Sequence, residues 1–147
     1  TDGEEIRISC RRLNHPNETY GWRIEYEGKV FAFATDTEPF RGHNPVLIDL
    51  TKNADLLYLD TQYTAGQYEG RKEDGGVSRQ GWGHGFDTAS AEIAMAAAAK
   101  YLLTGHHDPA ASDERIAQIA ANVRALIEKE DMVIAVDAAY DGMVIEL

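Results

Sequence analysis

Residues that can bind a metal ion or move a proton stand where several predicted strands end. Asp36, Asp60 and His106 each lie at or just after such an end. His15 lies in the turn after the first predicted strand, and His84 lies in a glycine-rich segment. Imidazole and carboxylate groups are ligands that suit zinc, iron or manganese. Because ligands of open α/β sheets bind beyond the carboxyl ends of the strands, these side chains are candidates for one site.

The spacing of these residues is compatible with a second interpretation. The intervals between them are long, and they match no local metal-binding template such as CxxC or HExxH. On spacing alone, the aspartates would cap turns and the histidines would be exposed surface residues. His43 lies in an Arg-Gly-His-Asn segment and is expected to be solvated.

Alternation of apolar and polar residues predicts the strands that would carry these side chains. Two alternating runs around Glu27-Gly28-Lys29 indicate a β-hairpin. The segment 64–85 is rich in glycine and is expected to be a long functional loop. Predicted strands cover residues 6–10, 22–26, 30–34, 54–60, 102–104, 132–136 and 143–147.

The predicted helices complete a mixed α/β layer. Residues 88–101 are rich in alanine and lack a helix breaker, and residues 46–53 allow one or two helical turns. A further helix begins after Ser112, with an acidic first turn and an apolar stripe. The expected architecture is one sheet with helices on one face.

Composition and net charge limit the classes of protein to which this chain can belong. The 147 residues include 14 Lys and Arg against 25 Asp and Glu, a net charge of −11, which argues against a broad basic surface for extended nucleic acid. The longest apolar run, residues 93–99, is too short to span a membrane. Without a secretion signal, and with Cys10 as the single cysteine, the expected setting is the cytoplasm. The start at Thr1 suggests a fragment, a processed product or a trimmed chain.

Four segments, in order, resemble the second half of the metallo-β-lactamase fold, and specifically its phosphodiesterase-like branch. They are LNHPNETYGWRIEYEGKVFAFATDTEP, ADLLYLDTQYT, GWGHGFDTASAEIAMAAAAKYLLTGHHDP and SDERI. The resemblance covers nearly the whole chain. It implies an α/β fold in which residues 1–147 form the C-terminal half of a four-layer αββα sandwich.

The resemblance also implies roles for individual residues. His15 of NHP and the first histidine of HHDP, His106, would be metal ligands, and Asp36 of ATDTE would bridge two metals. The implied cofactor is a pair of divalent ions, zinc first, with manganese or iron as alternatives. His84 would donate a proton to the leaving oxygen, although Gly85-Phe86 follows it where the family has Ser-Thr. Asp60 either orients a ligand or His84, or is an acid satisfied by backbone N–H groups.

The family's HxHxDH motif, which supplies the other ligands, is absent from the 147 residues. We therefore expect a partner that covers one sheet face, either the missing N-terminal half or a second copy of the chain. The leading hypothesis is a metal-dependent hydrolase that uses a metal-activated water on a small phosphodiester, away from any membrane. The alternative is a regulatory or interaction module that keeps the fold without a complete metal site. Trp82 and Phe86, which flank His84, either line a substrate pocket or anchor the loop.

Overall fold

The computed structural model describes residues 5–39 and 44–147. In chain order, the strands and helices are β1 (Arg7–Arg12), β2 (Tyr20–Tyr26), β3 (Lys29–Ala34), α1 (Pro45–Thr51), β4 (Leu56–Asp60), α2 (Ala65–Glu69), α3 (Asp87–Ala96), β5 (Tyr101–Gly105), α4 (Asp113–Lys129) and β6 (Ala135–Ala138). A short 3₁₀ turn, Lys72–Asp74, follows α2. The expected mixed α/β layer is confirmed.

The six strands form one sheet in the order β1-β2-β3-β4-β5-β6. The first three strands are antiparallel, and β3 to β6 run parallel to one another. The predicted hairpin is present, with Glu27 and Gly28 both at positive φ in its turn, as tight hairpin turns require. Because β1 and β3 to β6 point the same way, the residues that follow them meet at one edge. We call this edge the carboxyl edge.

The helices pack on one face of the sheet, as the sequence predicts. Alternate residues of β3, β4 and β5, such as Ala32, Leu57 and Leu102, are fully buried beneath them. Ile93 of α3 and Val123 of α4 join the same core, and α1 packs over β1, β2 and β3. Three alanines of α3, whose small side chains let the helix lie close to the sheet, are fully buried: Ala89, Ala91 and Ala94.

The opposite face of the sheet is aromatic and partly exposed. Trp22 and Ile8 are 45% and 60% exposed, although both lie within paired strands. On the same face, Phe33 stacks on Tyr58 with ring centroids 5.1 Å apart, and it contacts Phe31. No helix of the described residues packs on this face. We call it the uncovered face.

Several predicted boundaries differ from the structure. The predicted strand over 143–147 is wrong. The Asp141-Gly142 turn forms, but the chain beyond it pairs with no described strand, and Val144 is 85% exposed. The alanine-rich helix ends at Ala96 because the chain must turn before β5 begins at Tyr101. The loop over 64–85 contains α2, whose Thr64 and Gln67 form a reciprocal capping box.

Two sequence predictions have a limited structural outcome. No helix in residues 5–39 and 44–147 has both the length and the apolar composition needed to cross a bilayer. His43 and Thr1 lie outside the described residues, so the predictions made for them stay predictions.

Candidate metal centre

All five candidate site residues predicted from the sequence lie together at the carboxyl edge. Asp36 lies just beyond β3, Asp60 ends β4, and His106 directly follows β5. Asp36 and His106 both have left-handed backbone, with φ of 52° and 55°. Residues other than glycine seldom adopt this conformation, and it concentrates at functional sites. It turns the chain sharply at the two strand ends.

Asp36 stands between two histidines. Its Oδ1 atom lies 3.8 Å from Nε2 of His15 and 3.6 Å from Nε2 of His106. Ligand atoms about 2.1 Å from one tetrahedral metal lie about 3.4 Å apart, so this donor spacing fits shared metal ligands. Nδ1 of His15 accepts the backbone N–H of Asn17 at 3.1 Å, which fixes the ring with Nε2 toward Asp36. For Nε2 to ligate a metal as a neutral imidazole, the ring proton must move to Nδ1, which would replace the hydrogen bond from the Asn17 N–H.

Asp60 is fully buried and receives contacts from both sides of the site. Its Oδ2 atom lies 3.0 Å from Nδ1 of His84 and 3.2 Å from Nδ1 of His106. The backbone N–H of Gly85 donates to Oδ1 at 3.0 Å, and that of Thr37 donates to Oδ2 at 3.3 Å. Burial alone would raise the pKa of Asp60, but the histidine contacts and the Gly85 N–H hold it below its usual value. Asp60 therefore stays a carboxylate.

His84 is held against the other histidines by the glycines on either side of it. Its ring centroid lies 5.5 Å from that of His15 and 5.1 Å from that of His106. A Cβ on Gly83, whose φ is 92°, would collide with the His15 ring. A Cβ on Gly85 would collide with the carbonyl oxygen of Asp60. Only glycine lets the loop approach this closely.

The two neighbouring histidines after β5 behave differently. The Asp60 carboxylate raises the pKa of His106 above its usual value, against the effect of partial burial. At 3.2 Å from Asp60, Nδ1 of His106 lacks the alignment of a hydrogen bond. Burial lowers the pKa of His107, and neither of its ring nitrogens has a hydrogen-bond partner among the described residues. His106, not His107, faces Asp36, as the sequence predicts.

Glu38 is a residue of this site that sequence reasoning missed. It is 2% exposed, two residues after Asp36. Its Oε1 atom accepts the Tyr68 hydroxyl at 2.6 Å and the Gly81 N–H at 2.9 Å. Its Oε2 atom accepts the Gly83 N–H at 3.0 Å. Glu38 thereby ties the chain after β3 to the loop that carries His84. The signal available in the sequence was an acidic residue beside a candidate ligand, just before Pro39.

Two overlapping groups of donor atoms result from this arrangement. One contains His15, Asp36 and His84, and the other contains Asp60, His84 and His106. Within each group, the nitrogen and oxygen atoms all lie within 4.8 Å of one another. Five side chains from distant parts of the chain thus form one compact cluster. Such a cluster of imidazole and carboxylate groups is a donor set that suits divalent transition metals.

Sequence comparison gives the family of this chain. The family model described as "Beta-lactamase superfamily domain" matches residues 2–107, which is more than half of the chain. The chain belongs to the beta-lactamase superfamily. No curated protein sequence matches it at a significant level.

Several solved structures with the metallo-β-lactamase fold have the same architecture as this chain. The fold protein YhfI from Bacillus subtilis is 21% identical, with a TM-score of 0.73, and the match covers 99% of this chain and 51% of that one. Human tRNase Z, short form, is 20% identical, with a TM-score of 0.64 over 99% and 45% of the two chains. Zn²⁺-bound PqqB from Methylobacterium extorquens is 20% identical, with a TM-score of 0.56 over 97% and 50%. The chain therefore spans about half the length of the structures it matches.

Gly85 and Phe86, which stand where the sequence resemblance implies a Ser-Thr pair, both have a structural role. Gly85 packs closely against the backbone of Asp60 and donates its N–H to the Asp60 carboxylate. Phe86 is 4% exposed and stacks on Tyr68 with centroids 4.1 Å apart. Phe86 therefore anchors the loop, which decides one of the two alternatives left open by the sequence. Trp82, on the other side of His84, is 51% exposed.

Proposed function

We propose that the protein containing this chain is a metal-dependent hydrolase of phosphodiesters. The observation that carries the proposal is the position of Asp36 Oδ1, 3.8 Å and 3.6 Å from the Nε2 atoms of His15 and His106. These three side chains would hold the metal ions, with the Asp36 carboxylate shared between them. The proposed cofactor is a pair of divalent ions, zinc first and manganese or iron second. A bound divalent ion supplies a water whose pKa is lowered toward neutrality.

In this proposal, His84 protonates the leaving oxygen. Its Nδ1 atom, 3.0 Å from Oδ2 of Asp60, would donate one proton to that carboxylate, and the second proton of the imidazolium, on Nε2, would pass to the leaving oxygen. Asp60 acts through His84 because its carboxylate is fully buried. Glu38 fixes the loop on which His84 stands through the N–H groups of Gly81 and Gly83. The chain's own residues thus position a proton donor beside the metal ligands.

The substrate class rests on two supporting points. One structural relative carries the name tRNase Z, which denotes an enzyme that cuts the phosphodiester backbone of tRNA. The net charge of −11 opposes a long polyanion, so we propose a small phosphodiester.

The test of the metal site is Asp36→Ala, compared with Asp49→Ala as a matched control. Asp49 lies in α1, and its side chain is 67% exposed, away from the carboxyl edge. We expect Asp36→Ala to lose bound metal, measured by elemental analysis, together with turnover of phosphodiesters. The control should keep about two metals and full turnover.

Two outcomes would contradict the proposal. Retained turnover in Asp36→Ala would show that Asp36 is not a ligand that the reaction needs. A complete protein that binds no zinc, manganese or iron would favour the alternative, a regulatory or interaction module without a working metal site. Metal binding without hydrolysis of any phosphodiester would keep the metal site and reject the substrate class.

We also propose that a second sheet covers the uncovered face and completes the site. The occupant we favour is a segment equivalent to the missing N-terminal half, which would carry the HxHxDH ligands. Two observations support it. The structural relatives are about twice as long as this chain, and Trp22, Ile8 and Phe31 form an apolar face that no described helix packs on. Residues 1–147 would then form the C-terminal half of the domain.

Co-expression of the 147 residues with that segment should give a 1:1 complex that binds metal. Phe31→Lys should prevent the complex, because it places a charge in the middle of the uncovered face. Val133→Lys, at a residue that is 98% exposed elsewhere, should leave the complex intact. Light scattering distinguishes the contrary results. A compact monomer that does not bind the segment would reject any covering partner, and a symmetric dimer would make a second copy the occupant.

A further inference from the structure

Arg79 is sandwiched between two aromatic rings close to His84. Its guanidinium carbon lies 5.7 Å from the ring centroid of Tyr63 and 4.8 Å from that of Trp82. The Tyr63 ring in turn lies 6.3 Å from the His84 ring, edge to face. A guanidinium at these distances is attracted by the ring electrons of its neighbours. The stack of Tyr63, Arg79 and Trp82 therefore extends outward from the proton donor.

Trp82 is much more exposed than the aromatic residues near it. It is 51% exposed, whereas Tyr63 and Phe86 are 3% and 4% exposed. Phe86 already anchors the loop by stacking on Tyr68. About half of the Trp82 indole is exposed to water beside the candidate active site. It therefore contributes less free energy of burial than a fully buried indole would. The exposed ring is therefore a surface on which a planar group can stack.

The charge of Arg79 is not neutralised by an acidic neighbour. No described carboxylate lies within ion-pair distance of it, and its Nη1 atom donates to the carbonyl of Val77 at 3.1 Å. Arg115, the other arginine of the same cleft, pairs with Asp74 at 3.6 Å. In a chain of net charge −11, Arg79 is therefore a cation held by aromatic rings and a carbonyl, without an acidic partner among the described residues.

A cleft beside this stack has room for a ligand. Its volume is about 410 Å³, within the usual range for small-molecule sites, and it also contains the Asp108 carboxylate. Gln62, another lining residue, donates its side-chain N–H to the carbonyl of His106 at 3.1 Å. Arg79 is the member of the stack that lines this cleft, and Gln62 connects the cleft to the backbone of a candidate metal ligand. Its lining residues include Gln62, Gln67, Arg79, Asp108, Ser112 and Arg115.

We propose that Arg79 and Trp82 select a phosphodiester whose non-leaving group carries a planar aromatic ring, such as a single nucleoside. Trp82 stacks on the ring, and Arg79 pairs with negative charge on the substrate. The inference rests on the proposed hydrolase function, and it adds the residues that discriminate among substrates. Asp108 in the same cleft disfavours a second phosphate, which matches a mononucleotide better than an oligonucleotide.

The experiment compares two esters with the same leaving group in the metal-loaded holoenzyme. They are the p-nitrophenyl esters of thymidine 5′-phosphate and of methyl phosphate. Trp82→Ala should lower kcat/KM about tenfold more for the thymidine ester than for the methyl ester, because stacking on the nucleoside base contributes only to the first. Trp82→Phe should restore part of the loss. Tyr140→Ala is the control, since it removes an aromatic ring that is 69% exposed and does not line the cleft beside Arg79.

Equilibrium binding separates this inference from the proposed function. By calorimetry, thymidine 5′-phosphate should bind the wild-type protein more tightly than methyl phosphate does. Trp82→Ala should weaken thymidine 5′-phosphate about tenfold, and Arg79→Gln should weaken both ligands. Equal affinities in the wild type, or no change in Trp82→Ala, would overturn the inference whether or not the enzyme turns over. Selective binding without hydrolysis of either ester would overturn the proposed function alone.

Discussion

An aspartate stands at each end of β4, half-buried Asp55 just before it and buried Asp60 as its last residue, and the two have different partners. At the amino end, Asp55 accepts the Lys100 ammonium at 2.7 Å and the Val30 N–H at 2.8 Å. At the carboxyl end, Asp60 meets the rings of His84 and His106 together with backbone N–H groups. No described lysine or arginine reaches Asp60, Asp36 or Glu38 within ion-pair distance.

The aspartate at the amino end of β4 has partners that stabilise the fold. The aspartate at the carboxyl edge has partners that can also take part in chemistry. Asp55 already has the Lys100 ammonium and the Val30 N–H as partners, so little of its acidic charge is left for a further ligand. Imidazoles are neutral or charged according to their surroundings, so they can orient, ligate or release a proton. The carboxyl edge keeps its acidic charge available because its partners are histidines and N–H groups. We therefore expect a metal cation to bind at that edge and not at the other.

The largest effect should come from Asp60→Ala. The change leaves the ring of His84 and the N–H groups of Gly85 and Thr37 without their acceptor in a buried place. Breaking a buried charged network costs about 3–5 kcal/mol of unfolding free energy. Urea denaturation of the metal-free protein measures it. Asp60→Asn is the control, because it keeps one oxygen and should cost about 1–3 kcal/mol. A loss below about 1 kcal/mol in Asp60→Ala would show that the network contributes little.

Glu38→Gln should have the next largest effect. All three partners of Glu38, the Tyr68 hydroxyl and the N–H groups of Gly81 and Gly83, donate hydrogen bonds. An amide offers one oxygen in place of two, so a buried donor loses its acceptor at a cost of about 1–3 kcal/mol. In the complete enzyme, kcat should fall while metal content is kept, because the loop of His84 shifts.

Tyr68→Phe is the matched control for Glu38→Gln. It removes one donor and leaves the carboxylate with both glycine N–H groups, so it should cost less in urea denaturation than Glu38→Gln. Equal stability of Glu38→Gln and the wild type would argue that Glu38 does not hold the loop. Loss of metal in Glu38→Gln would place its effect on Asp36 instead of His84.

The sequence predicts which side chains meet at the carboxyl edge better than it predicts the residues that hold them in place. Asp36 and His106 follow strands whose alternation or apolar run is visible, so their meeting depends only on parallel pairing. Glu38 could not be found this way, because its partners Gly81 and Gly83 lie 43 and 45 residues away and donate through backbone atoms. Residues 143–147 show the opposite error. Alternation around Asp141-Gly142 imitates a hairpin, but a strand also needs a neighbour for its N–H groups, which the pattern cannot reveal.

The smallest effect should be found at the amino end of the strands, and it has a distinct pH dependence. The hydrogen bond from Lys100 is the main reason that the pKa of Asp55 is lowered. A lowered pKa stabilises the folded state above the unfolded value of about 3.9, and this stability is lost as the pH falls below it. Asp55→Asn keeps an oxygen for the Val30 N–H and should cost about 1 kcal/mol at pH 7.

Urea denaturation of Asp55→Asn and the wild type at pH 7 and pH 3 tests both the size and the sign. The two proteins should differ at pH 7 and converge at pH 3, where Asp55 is becoming protonated. Lys100→Met should reproduce the loss at pH 7 and add little to Asp55→Asn, because each change removes the same ion pair. A difference that grows toward acid would show that the charge on Asp55 destabilises the fold. The Lys100 ion pair would then not stabilise the amino end, and the contrast between the two ends of β4 would fail.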